Sequence, residues 1–168
     1  EFISETLDSI LSEDSRYYEI IVFDGCSTDR TPEIMHAYQN NHDCIKYVRS
    51  PERQNIDIDL NNAIEEASGE YIWTLSSDDV LAKGWLGTIL NEITRNSMDI
   101  YLVPAVHCSR DMTPQVDYPI KKDRNTDTAY YSLTSLVNLE HYLSTVRTSE
   151  GLFSFCSSCV IRRVRIMD

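Results

Sequence analysis

Two neighbouring carboxylates, Asp78 and Asp79, stand directly behind an apolar run, Tyr71-Ile-Trp-Thr-Leu75, and the short polar step Ser76-Ser77. Charge at the edge of a core is costly unless it is paired or given a ligand. A carboxylate pair at the end of a buried parallel strand suits a divalent cation, Mg2+ or Mn2+. Such an ion takes one or two protein carboxylates and fills the rest of its octahedron with water and phosphate oxygens. The competing reading makes either Asp the cap of the turn that follows. It is the weaker of the two, because the preceding run is apolar enough to be central and the charges fall at its end rather than within a polar loop.

A second constellation, Asp24-Gly25-Cys26-Ser27-Thr28-Asp29, follows the apolar segment Tyr18 to Phe23. As a plain strand-to-helix turn, Gly25 supplies loose backbone and the polar residues bond locally. As a site, Asp24 sits at a carboxyl strand end and accepts from an N–H of a nucleotide base, with Gly25 and Ser27 beside it. Spacing alone leaves both readings open. The third polar stretch runs from Arg53 to Asp59 and on to Asn61 and Asn62. Helix capping explains it. If it faces a pocket instead, Arg53, Asp57, Asn61 and the helix amides meet a diphosphate or sugar hydroxyls.

The elements that must position these groups follow from periodicity. Phe2, Ile3, Leu7, Ile10 and Leu11 recur at helical spacing, and Tyr18 to Phe23 reads as a buried strand. Thr31, Pro32 and Glu33 mark a helix start with Thr31 as the capping hydroxyl, running to about Asn41. Ile45 to Val48 is a second strand, and Ile58 to Ala67 a helix capped by Asp57 and closed by Gly69. The strand Tyr71 to Leu75, a helix Trp85 to Arg95 and a strand Ile100 to Val106 come next. His107 to Asp127 reads as a long loop, Ser132 to Leu143 as a helix, and Phe153 to Ile161 as a buried segment of open type. Alternating strands and helices predict an α/β domain with a mostly parallel sheet covered on both faces. In a doubly wound sheet a strand precedes the opening helix. None does here, so the expectation is one domain, residues 1–168, without its first strand and incomplete at both ends.

A chain of 168 residues is long enough to bury a substantial core, and 42% hydrophobic with 25% charged residues places it among globular proteins. The net charge of -12 disfavours nucleic acid and anionic membrane surfaces, which demand a basic footprint. Five Cys without paired zinc spacing argue against a disulfide framework or metal finger and favour a reducing cytosol; Cys156 and Cys159 read as buried thiols rather than a redox pair. The four His show no ligand spacing, and the Tyr and Trp read as core or rim, with Trp85 a candidate wall for a sugar. No stretch reaches the roughly 20 apolar residues of a membrane span.

The run Glu19-Ile-Ile-Val-Phe-Asp-Gly-Cys-Ser-Thr-Asp-Arg-Thr31, then Asn61 to Gly69 leading into Glu70-Tyr-Ile-Trp-Thr-Leu-Ser-Ser-Asp-Asp79, resembles family 2 glycosyltransferases of the GT-A fold. The likeness covers Phe2 to Ile93, and Gly151 to Arg163 is similar to bacterial members that build surface polysaccharide, abequosyltransferase-like enzymes among them. It implies a Rossmann-like, mixed, mostly parallel sheet, a nucleotide-sugar donor, a saccharide or lipid-linked saccharide acceptor, and metal-assisted displacement with inversion. It also implies work in the cytoplasm, including the inner face of the cell membrane. By position Asp24 contacts the base, and Asp78 and Asp79 stand for the acidic DXD element holding metal and diphosphate. The catalytic base lies downstream, at Glu150 within this chain or beyond Asp168. Many members carry a second acid where Gly25 stands and an Asp where Ser76 stands, so metal binding here rests on fewer ligands. The alternatives are a noncatalytic nucleotide- or partner-binding α/β module, and a phosphoryl-handling protein using Asp24 as acceptor.

Overall fold

The structure, a computed structural model, describes residues 2–13, 15–103, 108, 109, 113 and 159–164. Helix α1, Ile3–Leu11, exists because Ile3, Leu7 and Ile10 share one face, and all three are buried together with Thr6. That face lies against β1, Ile20–Asp24, and β2, Ile45–Arg49, which pair in parallel with Ile20 opposite Ile45 and Asp24 opposite Arg49. Helix α2, Thr31–Asn41, crosses between them and contributes Met35, which is wholly buried. Ile3, Leu7, Met35 and Ile45 form the first core, joined by Ile20, Val22, Ile34 and Tyr47.

Two helix starts differ from the sequence expectation. Thr31 is the first residue of α2 and its hydroxyl is no cap; the Asp29 carboxylate accepts the Thr31 N–H at 3.0 Å from two residues upstream. Helix α3, Ile56–Glu66, begins two residues before Ile58, with Asn55 at the cap position and Asp57 inside the first turn. Asp57 therefore interacts with the helix dipole and is not a cap.

β3, Tyr71–Trp73, is followed by α4, Trp85–Asn96, which is entered through Gly84 at φ 83°. β4 is Ile100–Leu102, and residues 104–106 of the expected strand lie outside the described residues. The open Phe153 to Ile161 segment enters a strand at its end: β5, Cys159–Arg162, lies antiparallel between β3 and β4, with Ile161 opposite both Ile72 and Ile100. β3 and β4 each pair antiparallel with β5 between them, so among the described residues this three-stranded antiparallel sheet stands separate from the parallel β1–β2 pair, where one mixed, mostly parallel sheet was expected. Ile89, Val103 and Val160 form the second core, and Trp85 packs on it with Trp73, Tyr71 and Tyr101, so its ring serves the core. The helix expected at Ser132 to Leu143 and most of the loop at 107–127 fall outside the described residues.

Two polar joints organise these ladders. One Glu19 oxygen accepts from Ser68 N at 2.6 Å, Ser68 Oγ at 2.8 Å and Gly69 N at 2.9 Å, which ties the entry of β3 to the entry of β1. Arg162 pairs with Asp99 at 3.1 Å and with Glu70, donates to the Ser97 carbonyl at 3.0 Å, and lies 4.7 Å over the Tyr71 ring. That hub closes β3, β5 and β4 at one end. Among the described residues no helix is long and apolar enough to cross a membrane.

Candidate functional site

At the end of β1, Asp24 is buried, only 4% exposed. Its Oδ1 accepts the Ser27 N–H at 2.7 Å, and its Oδ2 accepts from Tyr47 Oη at 2.7 Å with Arg49 Nε at 3.4 Å. Burial pushes this carboxyl up, but the bonds from Ser27 and Tyr47 and the Arg49 charge outweigh it and hold the carboxyl below its ordinary range. Burial and the same carboxylate push the Tyr47 phenol up. Arg49 also donates to the Ser27 carbonyl at 2.8 Å, while the Asp24 carbonyl accepts from Cys26 N and Ser50 N at 2.8 Å each. The turn is therefore built around Asp24. Its left-handed residue is Cys26, at φ 72°, rather than Gly25. Gly25 is needed for space instead: a Cβ there would stand 3.1 Å from Asp59 Cγ and closer still to Asp59 Oδ2.

The second acid group lies beyond β3, whose last residue is Trp73 rather than the expected Leu75. Ser76 and Asp79 are joined by an Asp79 N–H to Ser76 carbonyl bond of 3.2 Å, so the acids ride on a tight turn. Asp78 is exposed and Asp79 half-buried. Helix α1 holds the segment. The buried Thr6 hydroxyl donates to the Ser77 carbonyl at 3.0 Å, Ser9 Oγ accepts the Leu81 N–H at 3.0 Å, and Glu13 Oε1 accepts the Gly84 N–H at 2.7 Å. Thr6 and Ser9 lie one turn apart on α1 beside its apolar face, and Glu13 follows two residues past the end of that helix. Sequence reading missed this arrangement, although Thr6 and Ser9 are visible once α1 is seen to carry polar residues at helical spacing.

The third stretch is brought in by a residue that was not singled out. Arg53 and Asp57 are exposed and make no hydrogen bond or ion pair with any described residue, and the exposed Asn61 donates to Glu65 at 2.9 Å on its own helix. Asp59 is half-buried against Gly25, beside Asp24. Its Oδ1 is buried with no hydrogen-bond partner. Glu150 lies outside the described residues.

Among the described residues no three His, Cys, Asp or Glu side chains group to hold an ion. The donor set after β3 is two adjacent carboxylates on a turn, hard oxygen ligands, with Asp78 exposed and Asp79 half-buried. That set fits Mg2+ or Mn2+, which need few protein ligands when phosphates complete the shell.

Residues 1–167 match the family model for Glycosyl transferase family 2. The chain belongs to glycosyl transferase family 2. Among its family 2 relatives, the abequosyltransferase RfbV of Salmonella typhimurium is 30% identical over 98% of this chain and 50% of its own length. The putative teichuronic acid biosynthesis glycosyltransferase TuaG of Bacillus subtilis is 30% identical over 68% of this chain and 45% of its own. The chain thus spans about half the length of these relatives. The crystal structure of S. aureus TarS 1–349 superposes with a TM-score of 0.74 at 23% identity, covering 100% of this chain and 45% of that one. The TarS complex with UDP-GlcNAc gives 0.69 at 21% identity, covering 99% and 43%. These likenesses show the GT-A fold.

Proposed function

We propose that the protein transfers a sugar from a nucleotide-sugar donor to a hydroxyl of a saccharide or lipid-linked saccharide acceptor, in bacterial polysaccharide or glycoconjugate synthesis. The observation that carries the reading is the acidic turn Ser76–Asp79 after β3, held at Ser77 by Thr6 of α1 and followed by Leu81 and Gly84 bonded to Ser9 and Glu13, in a family 2 chain. Rigid placement matters because only groups held ready before the reaction stabilise charge without reorganising.

In the proposed reaction the acceptor hydroxyl oxygen bonds to the anomeric carbon while the bond from that carbon to the nucleoside diphosphate breaks, inverting the centre. A carboxylate takes the hydroxyl proton. Glu150 is the candidate for that role within the chain. Asp24 holds the base end of the donor, with Gly25 and Ser27 as the loop beside it. Asp78 and Asp79 would hold the Mg2+ or Mn2+. When bound, that ion neutralises charge developing on the departing diphosphate. Arg53, ahead of α3, and Asp57 and Asn61, on its exposed side, belong to the donor site only through contacts formed when the donor is bound.

The test incubates the intact protein with UDP-, GDP-, CDP- and dTDP-sugars, with Mn2+ or Mg2+ present or absent, and measures released nucleoside diphosphate. Metal-stimulated release from one donor class is expected. Binding without any release or transfer to saccharide acceptors would favour a noncatalytic nucleotide-binding module. Absence of both binding and release would overturn the proposal.

A further inference from the structure

The two ends of the proposed donor site stand on different ladders. Asp24 ends β1, which pairs with β2, whereas the acidic turn Ser76–Asp79 follows β3, which pairs with β5. One ligand gripped at both ends is held well only if the two bodies keep a fixed relation. Near the acids that relation runs through α1, whose apolar face packs against β1 and β2 while Thr6 bonds Ser77. At the opposite end of the strands it runs through the segment Glu66 to Gly69. Glu66 pairs with Lys46 of β2 at 2.5 Å, and one oxygen of Glu19, the residue before β1, accepts from Ser68 N at 2.6 Å, Ser68 Oγ at 2.8 Å and Gly69 N at 2.9 Å. From the other ladder Arg163, just past β5, donates its Nε–H to the Gly69 carbonyl at 2.9 Å and its backbone N–H to the Glu70 carbonyl at 2.8 Å. Gly69 is thus held by its N–H to one ladder and by its carbonyl to the other. Burial pushes the Glu19 carboxyl up, but the bonds from Ser68 and Gly69 and the Lys46 charge outweigh it and hold the carboxyl below its ordinary range. The joint is therefore made by a carboxylate, the stronger kind of acceptor. Glu19 is exposed, and a single bond there would be offset largely by water; three donors on one oxygen fix the segment.

We propose that Glu19 is a positioning residue for the transfer reaction: by bolting the entry of β3 to the entry of β1, it fixes the acidic turn relative to Asp24 so that one donor molecule engages both. The assignment rests on the donor reading above. Glu19 itself touches no ligand. Its loss leaves each half of the site in place and changes how well the halves act together, which is a coupling between nucleotide and metal binding.

The experiment titrates the intact protein with UDP, CDP, GDP and dTDP, then takes whichever binds and measures its affinity with and without Mn2+ for the native sequence, Glu19→Ala, Glu19→Gln, Ser68→Ala and Arg162→Met. The ratio of the two affinities is the coupling factor. Thermal unfolding is followed in the same samples. In the native protein the factor is expected to be about fivefold or more. Glu19→Ala should lower it about threefold or more while affinity without Mn2+ stays within about twofold. Glu19→Gln keeps the acceptor oxygen and should keep most of the factor. Ser68→Ala removes the hydroxyl bond alone and should lower the factor less than Glu19→Ala. Arg162→Met loosens β3, β5 and β4 without touching the Glu19 joint, so it should lose stability and keep the factor, which separates positioning from stability alone. A native factor in Glu19→Ala, or an equal fall in Arg162→Met, overturns the role of Glu19 and leaves the donor reading standing. If Glu19→Ala is too unstable to titrate, an unchanged factor in Ser68→Ala overturns that role likewise. A native protein whose nucleotide binding ignores Mn2+, or that binds no nucleotide, overturns both.

Discussion

Replacing Thr6 by Val removes one clamp on the acidic turn and changes little else. Valine keeps the branched shape at a helix position that is only 4% exposed, so packing against the first core is retained. What is lost is the 3.0 Å bond from Thr6 Oγ1 to the Ser77 carbonyl. A neutral hydrogen bond contributes about 0.5–1.5 kcal/mol net, and because Ser77 is exposed, water partly replaces the lost donor. The expected loss is about 1 kcal/mol, or a fall of about 2–4 °C in Tm for a domain of this size. If the bond holds Asp78 and Asp79 in their binding arrangement, the same energy is missing when metal and nucleotide bind. That amounts to weakening by about fivefold, since 1.4 kcal/mol is a factor of ten. Denaturant unfolding gives the first number and calorimetric titration of nucleotide with Mn2+ gives the second. A Thr6→Val protein that loses the stability but binds metal and nucleotide as before would refute the positioning argument. Adding Ser9→Ala, which removes the acceptor for Leu81 N–H, should give a double variant that departs from additivity, because both bonds hold one short segment.

Asp24→Asn should destabilise the fold by about 2 kcal/mol, less than the usual cost of breaking a buried pair because Arg49 is 44% exposed and regains water; chemical denaturation checks it. The folded carboxyl of Asp24 titrates below its unfolded value, so its stabilisation is complete above about pH 4 and is lost as pH falls further. The native protein should therefore lose stability on acidification in that window, and Asp24→Asn should show a shallower acid limb. Arg162→Met should cost about 2 kcal/mol and speed amide hydrogen exchange in Tyr71–Trp73 and Ile100–Leu102 while leaving Ile20–Asp24 protected, since the hub serves only β3, β5 and β4. Uniform exchange changes across both ladders would contradict that division.

Much of this arrangement was legible from residue pattern. The apolar stripe Ile3, Leu7, Ile10 and the continuous runs before Asp24 and Asp78 identify α1, β1 and β3, because burial on one face or both dictates those periods. The position of β5 was not legible. It pairs with β3 and β4 across sequence separations that periodicity cannot see, and its residues read as a strand or a buried helix equally well. Helix α3 was misregistered for a different reason. Its apolar residues Ile56, Ile58 and Leu60 are exposed while Asp59, Asn62 and Ala63 turn inward, so the usual pattern points the wrong way. That inversion also hid Asp59 and drew attention to Asp57 and Asn61. Gly25 was read as backbone freedom, whereas Cys26 carries the left-handed conformation and Gly25 makes room, a fact fixed only by the approach of α3.

Asp78 and Asp79, on the turn after β3, are proposed to bind a divalent cation together with a nucleoside diphosphate. That central claim is tested most directly by calorimetric titration of the preferred nucleotide into the intact protein and its Asp79→Ala variant, each with and without Mn2+. The account predicts binding strengthened by Mn2+ in the native protein and indifferent to Mn2+ in the variant. Binding that ignores Mn2+ in the native protein, or keeps its full Mn2+ dependence without Asp79, would contradict it.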